Sequence, residues 1–175
     1  GYIDPSVEAC RKMTDLFNLR GDDLTIARSN SRAVNQFPHE WRMATYSFNY
    51  LPMLNESGKI DTQQAKLPAH LDMVEKIKEA DEPIDLVMTG PLTDLARALD
   101  VDPDIEKNIE KLYWMGGSLD GHGNVAMVNA DGSQEWNSFW DPYAVKRVFE
   151  SNIPIQMVGL ESTEELPLND ELRQH

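Results

Sequence analysis

Three short apolar runs, residues 84–88 (IDLVM), 111–115 (KLYWM) and 154–160 (PIQMVGL), constrain this chain more than anything else in it. The first two break off at a glycine turn, Thr89-Gly90-Pro91 and Gly116-Gly117, and the third leads into the acidic stretch GLESTEE. Between the runs, apolar residues recur at three- and four-residue spacing: Leu92, Leu95, Ala96 and Leu99, then Ala144, Val145, Val148 and Phe149. The second of these stretches opens with Asp141-Pro142, an N-cap followed by a first-turn proline. Strands alternating with helices predict an α/β layered, Rossmann-like fold with a mostly parallel central sheet flanked by helices. Such sheets carry their ligands beyond the carboxyl ends of the strands, so the chemistry belongs in the segments that follow each run.

The same reading extends along the chain. Residues 6–17 place Val7, Cys10, Met13, Leu16 and Phe17 on one helical stripe with Ser6 as N-cap, which puts Cys10 in the core. Residues 24–27 (LTIA) read as a short buried strand, and Asp22-Asp23 before it as solvated turn residues. Residues 31–64 have weak periodicity and read as a long, mostly irregular connection with one short helix. Leu71, Val74 and Ile77 mark another helix, and a further one surrounds residues 105–109. With no repeat and no linker, residues 1–175 read as one domain.

Charge narrows the partners. Thirty acidic against 16 basic residues give a formal charge of −14, which disfavours nucleic acid and anionic membrane and favours a neutral small molecule, a cation or a metal ion. No apolar run is long enough to span a bilayer. The N-terminus lacks the basic-then-apolar pattern of a secretory signal, and the single cysteine forms no internal disulfide; both accord with a reducing, cytoplasmic setting.

Three segments qualify as site-forming: TGPLTD after Met88, the stretch after Met115, and GLESTEE after Val158. Taken singly, their residues have ordinary readings. Thr89-Gly90 fits a tight turn, Glu135 a solvated loop carboxylate, Asn124 and Asn129 turn positions, Asn137 a helix cap and His122 an exposed imidazole without a partner. As a set, carboxylate, carboxamides and tryptophan suit a polyol carrying a flat ring.

The segments VMTGPLTDLARAL, YWMGGSLDGHGNV, DGSQEWNSFWDPYAVKRVFES and IPIQMVGLESTEELP together resemble the inosine-uridine nucleoside hydrolase family. FPHEWR and LPMLNE further resemble its purine-preferring branch, acting on inosine, adenosine and guanosine. The resemblance implies hydrolysis of the N-glycosidic bond of ribonucleosides to ribose and free base, a calcium cofactor that holds the water and the ribose diol, and a homo-oligomer. It further implies that Asn124, Glu135 and Asn137 bind ribose hydroxyls, that Thr89 gives its backbone carbonyl to calcium, and that Trp41 acts in catalysis by stacking on the purine. Asn124 is preferred over Asn129 because the GNV context travels with it, and Asp94 is assigned no role.

One family signature, an N-terminal strand followed by a DxDxxxDD cluster that supplies most calcium ligands, has no counterpart here. The chain therefore reads as one nucleoside hydrolase domain without that strand and without the C-terminal part, and inactive by itself. The alternative is a non-catalytic nucleoside- or ribose-binding member, or an inactive fragment, of the same family.

Overall fold

Strand β4 (Ile109–Met115) forms the middle of a three-stranded sheet, parallel to β3 (Ile84–Met88) on one side and to β5 (Ile155–Val158) on the other. The computed structural model describes residues 3–19, 24–128, 130–166 and 169–170. Alternation along β4 sends Leu112 and Trp114 into the core, where both are fully buried. There they join Leu95 and Leu99 of α5 (Thr93–Val101), Ala144 and Val148 of α7 (Pro142–Phe149), and Val74 and Ile77 of α4 (Ala69–Glu79). Val87, Tyr113 and Gln156 lie side by side on the opposite face, where Val87 is 75% exposed. A second parallel pair joins β1 (Ile26–Arg28) to β2 (Gln64–Pro68). Both sheets being parallel and flanked by helices, the fold is the α/β layered one the strand–helix alternation predicts.

Two helix N-termini meet beside the strand ends. Asp141, itself buried, accepts the Ala144 N–H at 3.0 Å and so caps α7. Its other oxygen accepts the Thr93 hydroxyl at 2.8 Å, which ties the start of α5 to the start of α7.

Several expectations need correction. Helix α1 (Ile3–Leu16) begins before Ser6, with Asp4 and Pro5 in its first turn, so Ser6 is inside the helix rather than its cap. Cys10 is exposed, not core. Helix α1 buries only Val7 and Ala9 of its face, where it meets β1 and the helical turns between residues 45 and 55, whereas Met13, Leu16 and Phe17 face solvent. The strand read at 24–27 is displaced to Ile26–Arg28. The helix around 105–109 is a 3-10 turn, Pro103–Asn108, running straight into β4.

The connection after β1 is more ordered than its weak periodicity implies. It contains α2 (His39–Ala44), a 3-10 helix (Thr45–Tyr50), α3 (Pro52–Asn55) and the strand β2. Pro52 starts α3, and the Asn55 side-chain amide donates to the Leu51 carbonyl at 2.6 Å and the Phe48 carbonyl at 3.1 Å. The Asp22-Asp23 turn lies outside the described residues.

Candidate functional site

The three strand-end segments converge. At the end of β4, Gly117 adopts φ +75°, a conformation that favours glycine. Its N–H donates to Glu135 Oε2 at 2.9 Å, and its carbonyl accepts the N–H of Leu160, the first residue of α8 (Leu160–Glu164), at 2.9 Å. One residue thus joins β4, the segment after β5, and the start of α6 (Trp136–Trp140).

Glu135 is not the solvated carboxylate its loop context suggests. It is buried and caps α6: Oε1 accepts Asn137 N–H at 2.9 Å, and Oε2 accepts Ser138 N–H at 3.1 Å besides that of Gly117. Three backbone donors make a charge-assisted anchor, which answers how the carboxylate tolerates burial. Asn137 is not a cap either; it sits within α6, buried, and its side-chain amide donates to the carbonyls of Met115 at 3.0 Å and Thr89 at 3.3 Å. The ends of β3 and β4 are therefore bridged by one carboxamide.

Asn124 is exposed and its Oδ1 accepts the Trp136 N–H at 3.0 Å. Its own N–H donates to the Gln134 carbonyl at 3.0 Å, and the Gly123 N–H to Gly132 at 2.6 Å. Asn129 lies outside the described residues. Trp41, on α2, is 46% exposed and rests on Trp136, ring centres 4.9 Å apart. The structure thus links all five sequence-predicted positions in one continuous network: Thr89 to Asn137, Asn137 to Glu135, and, across Trp136, Asn124 and Trp41.

Sequence reasoning passed over the aromatic company of Trp41. Phe37 stacks on Trp140 at 4.5 Å and meets Trp41 edge-on at 5.7 Å, while Trp136 contacts Phe139 and Trp140. The signal was present: Trp136, Phe139 and Trp140 are spaced three and four apart, one helical face. Asn35 ties this loop to α6, its N–H donating to the Trp140 carbonyl at 2.9 Å and its side chain to that of Phe139 at 2.5 Å.

A cavity of about 520 Å³ adjoins the network, lined among others by Arg28, Ser31, Phe37, Pro91, Asp94 and Trp140. It shares the Phe37–Trp140 stack with the aromatic cluster but is not lined by Asn124, Glu135 or Asn137. Asp94, without a role from the resemblance, accepts the Ser31 hydroxyl at 2.5 Å on its wall.

His122 is exposed, as expected, but not without a partner: its Nδ1 lies 3.0 Å from Asp120 Oδ2 and its N–H donates to Asp120 Oδ1 at 2.9 Å. That carboxylate raises the imidazole above its ordinary value, and the His122 N–H and side chain hold Asp120 well below the usual carboxylate range.

Calcium is not accommodated by these donors alone. Among the described residues no three His, Cys, Asp or Glu side chains are grouped to hold a metal ion, and the Thr89 carbonyl, which accepts from Asn137 through one lone pair, keeps only the other for a cation.

Fold and network define a class first: an α/β protein that gathers amide, carboxylate and aromatic groups at the carboxyl edge of a parallel sheet. The inosine-uridine preferring nucleoside hydrolase family model matches residues 9–175, and the chain belongs to that family. An inosine-uridine preferring nucleoside hydrolase from Bacillus anthracis, 47% identical, superposes with a TM-score of 0.91 over 98% of this chain and 56% of that one. A purine-preferring ribonucleoside hydrolase from Gardnerella vaginalis gives 26% identity and a TM-score of 0.65 over 90% of this chain and 48% of its own. The pyrimidine-specific ribonucleoside hydrolase RihA of Shewanella woodyi is 41% identical over 99 residues, 57% of this chain and 30% of that protein. The chain thus matches about half the length of these solved relatives and under a third of the curated one.

Proposed function

We propose that the protein containing this chain hydrolyses the N-glycosidic bond of ribonucleosides, and that this chain supplies the sugar-binding and base-stacking part of the site. The observation that carries the reading is the buried Glu135–Asn137 pair at the strand ends, with Asn124 and the Trp41–Trp136 surface beside it. Glycosidic cleavage builds positive charge on the ribose, so the site has to hold hydroxyls firmly and hold the leaving base flat. With Asn124 Oδ1 and the Asn137 amide hydrogens already engaged, Asn124 offers its Nδ2 as a donor, and Asn137 Oδ1 and the remaining Glu135 lone pair are the acceptors for the hydroxyls. Trp41 provides an exposed ring face for the base, worth about 1 kcal/mol beyond burial.

The base preference proposed is purine, because Trp41 lies in the FPHEWR segment that resembles the purine-preferring branch and keeps an exposed indole face, its ring tilted 57° to that of Trp136. Calcium, the family expectation, would complete the site with carboxylates from outside this chain, and Thr89 would lend its carbonyl. The single test is base release from inosine and uridine by the full-length protein, with and without a calcium chelator, beside the 175-residue chain. The full-length protein is expected to release hypoxanthine faster than uracil and to lose activity on chelation, and the chain alone to release neither. Ligand saturation without base release by the full-length protein would establish a binding member instead.

A further inference from the structure

The loop from Ser118 to His122, which leads into Asn124, is latched to the segment after the neighbouring parallel strand β5 by a single carboxylate oxygen. Glu161, on α8, accepts three hydrogen bonds at Oε1: from the Ser118 hydroxyl at 2.8 Å, the Leu119 N–H at 2.6 Å and the Asp120 N–H at 3.1 Å. Its own backbone amide first, then Ser118 and Asp120, hold its carboxyl below the usual glutamate value. Asp120, fixed in this way, seats His122 through both its N–H and its imidazole. Two residues on, Asn124 is gripped from its other side by Gln134 and Trp136. Asn124 therefore stands between two anchors, and only the second belongs to its own hairpin.

We propose that Glu161 is a positioning residue for ribonucleoside binding, setting the approach of the Ser118–His122 loop so that Asn124 meets the sugar. The inference rests on the reading of Asn124 as a sugar ligand. Neighbouring glycine geometry supplies an independent handle. A Cβ on Gly159 would collide with Glu161 Oε2, whereas the Gly159 backbone, φ −71°, is one that alanine adopts freely. Because the clashing atom is the far end of a flexible side chain, Gly159→Ala should move the carboxylate while leaving the fold intact.

The test compares full-length wild type, Glu161→Gln and Gly159→Ala on inosine and uridine. Both variants are expected to raise KM about tenfold while kcat stays within about twofold, the pattern of lost uniform binding. Inhibition by free ribose should weaken in parallel, and inhibition by free hypoxanthine should not. A variant that lowers only the unfolding temperature, with KM and ribose inhibition unchanged, overturns the proposal and leaves Glu161 structural. Should Glu161→Gln fail to fold, Gly159→Ala decides alone by the same criteria. If the wild-type protein releases no base from either nucleoside, the functional reading falls and this proposal with it; if wild type is active and both variants behave like it, only this proposal falls.

Discussion

Glu135 holds a carboxylate inside the protein on three backbone amides from two separate segments. Removing an acceptor that serves three donors leaves them unpaired, so Glu135→Ala should cost about 2–3 kcal/mol and Glu135→Gln less, measured by urea unfolding. His122 and Asp120 offer the contrasting case of a pair in solvent, an ion pair when the imidazole is protonated. The folded value of His122 is raised by Asp120, so its contribution is full below the ordinary histidine value of about 6.5 and is lost as pH rises through the raised value. An NMR titration should show a His122 midpoint above that of a free histidine, returning toward it in Asp120→Asn; solvent screening makes the accompanying change in stability small. Glu135 was legible as a residue type but not as a buried one, because its partner Gly117 lies 18 residues earlier and no local pattern reports that return.

At the level of elements, the joint between α5 and α7 depends on one hydroxyl. Thr93→Val keeps shape and burial but leaves an Asp141 oxygen without its 2.8 Å donor. A loss of about 1–2 kcal/mol in thermal or denaturant unfolding is expected, with the Ala144 cap retained. The Asp141-Pro142 start of α7, the β3 and β4 strands and the α5 stripe could all be read from sequence, since each is long enough to show its period. The region between β1 and β2 could not. Its helical pieces run four to six residues, one to two turns each, and their order comes from proline starts and side-chain hydrogen bonds such as those of Asn55 rather than from an apolar stripe.

Across the whole molecule, the larger sheet has one well-covered face and one that bears Val87 and Tyr113 toward solvent. Parallel sheets are almost always covered on both faces, and the solved Bacillus anthracis relative is nearly twice as long as the part this chain matches. Val87→Lys should therefore change the stability of the 175-residue chain by less than about 0.5 kcal/mol, and destabilise the full-length protein by about 2 kcal/mol or more. Matched denaturant midpoints for the two lengths decide it, and equal effects would mean that Val87 stays in solvent in both.

The chain of ring contacts from Phe37 through Trp41 and Trp136 to Trp140 has an optical consequence. Three of the four tryptophans of this chain sit within it, and the fourth, Trp114, is sealed in the core against Phe149. The red, solvent-sensitive part of the intrinsic emission thus comes from one place, and Trp114 supplies a constant blue background. A purine laid on Trp41 should quench the first and leave the second unchanged, so this chain carries its own label for base occupancy at Trp41.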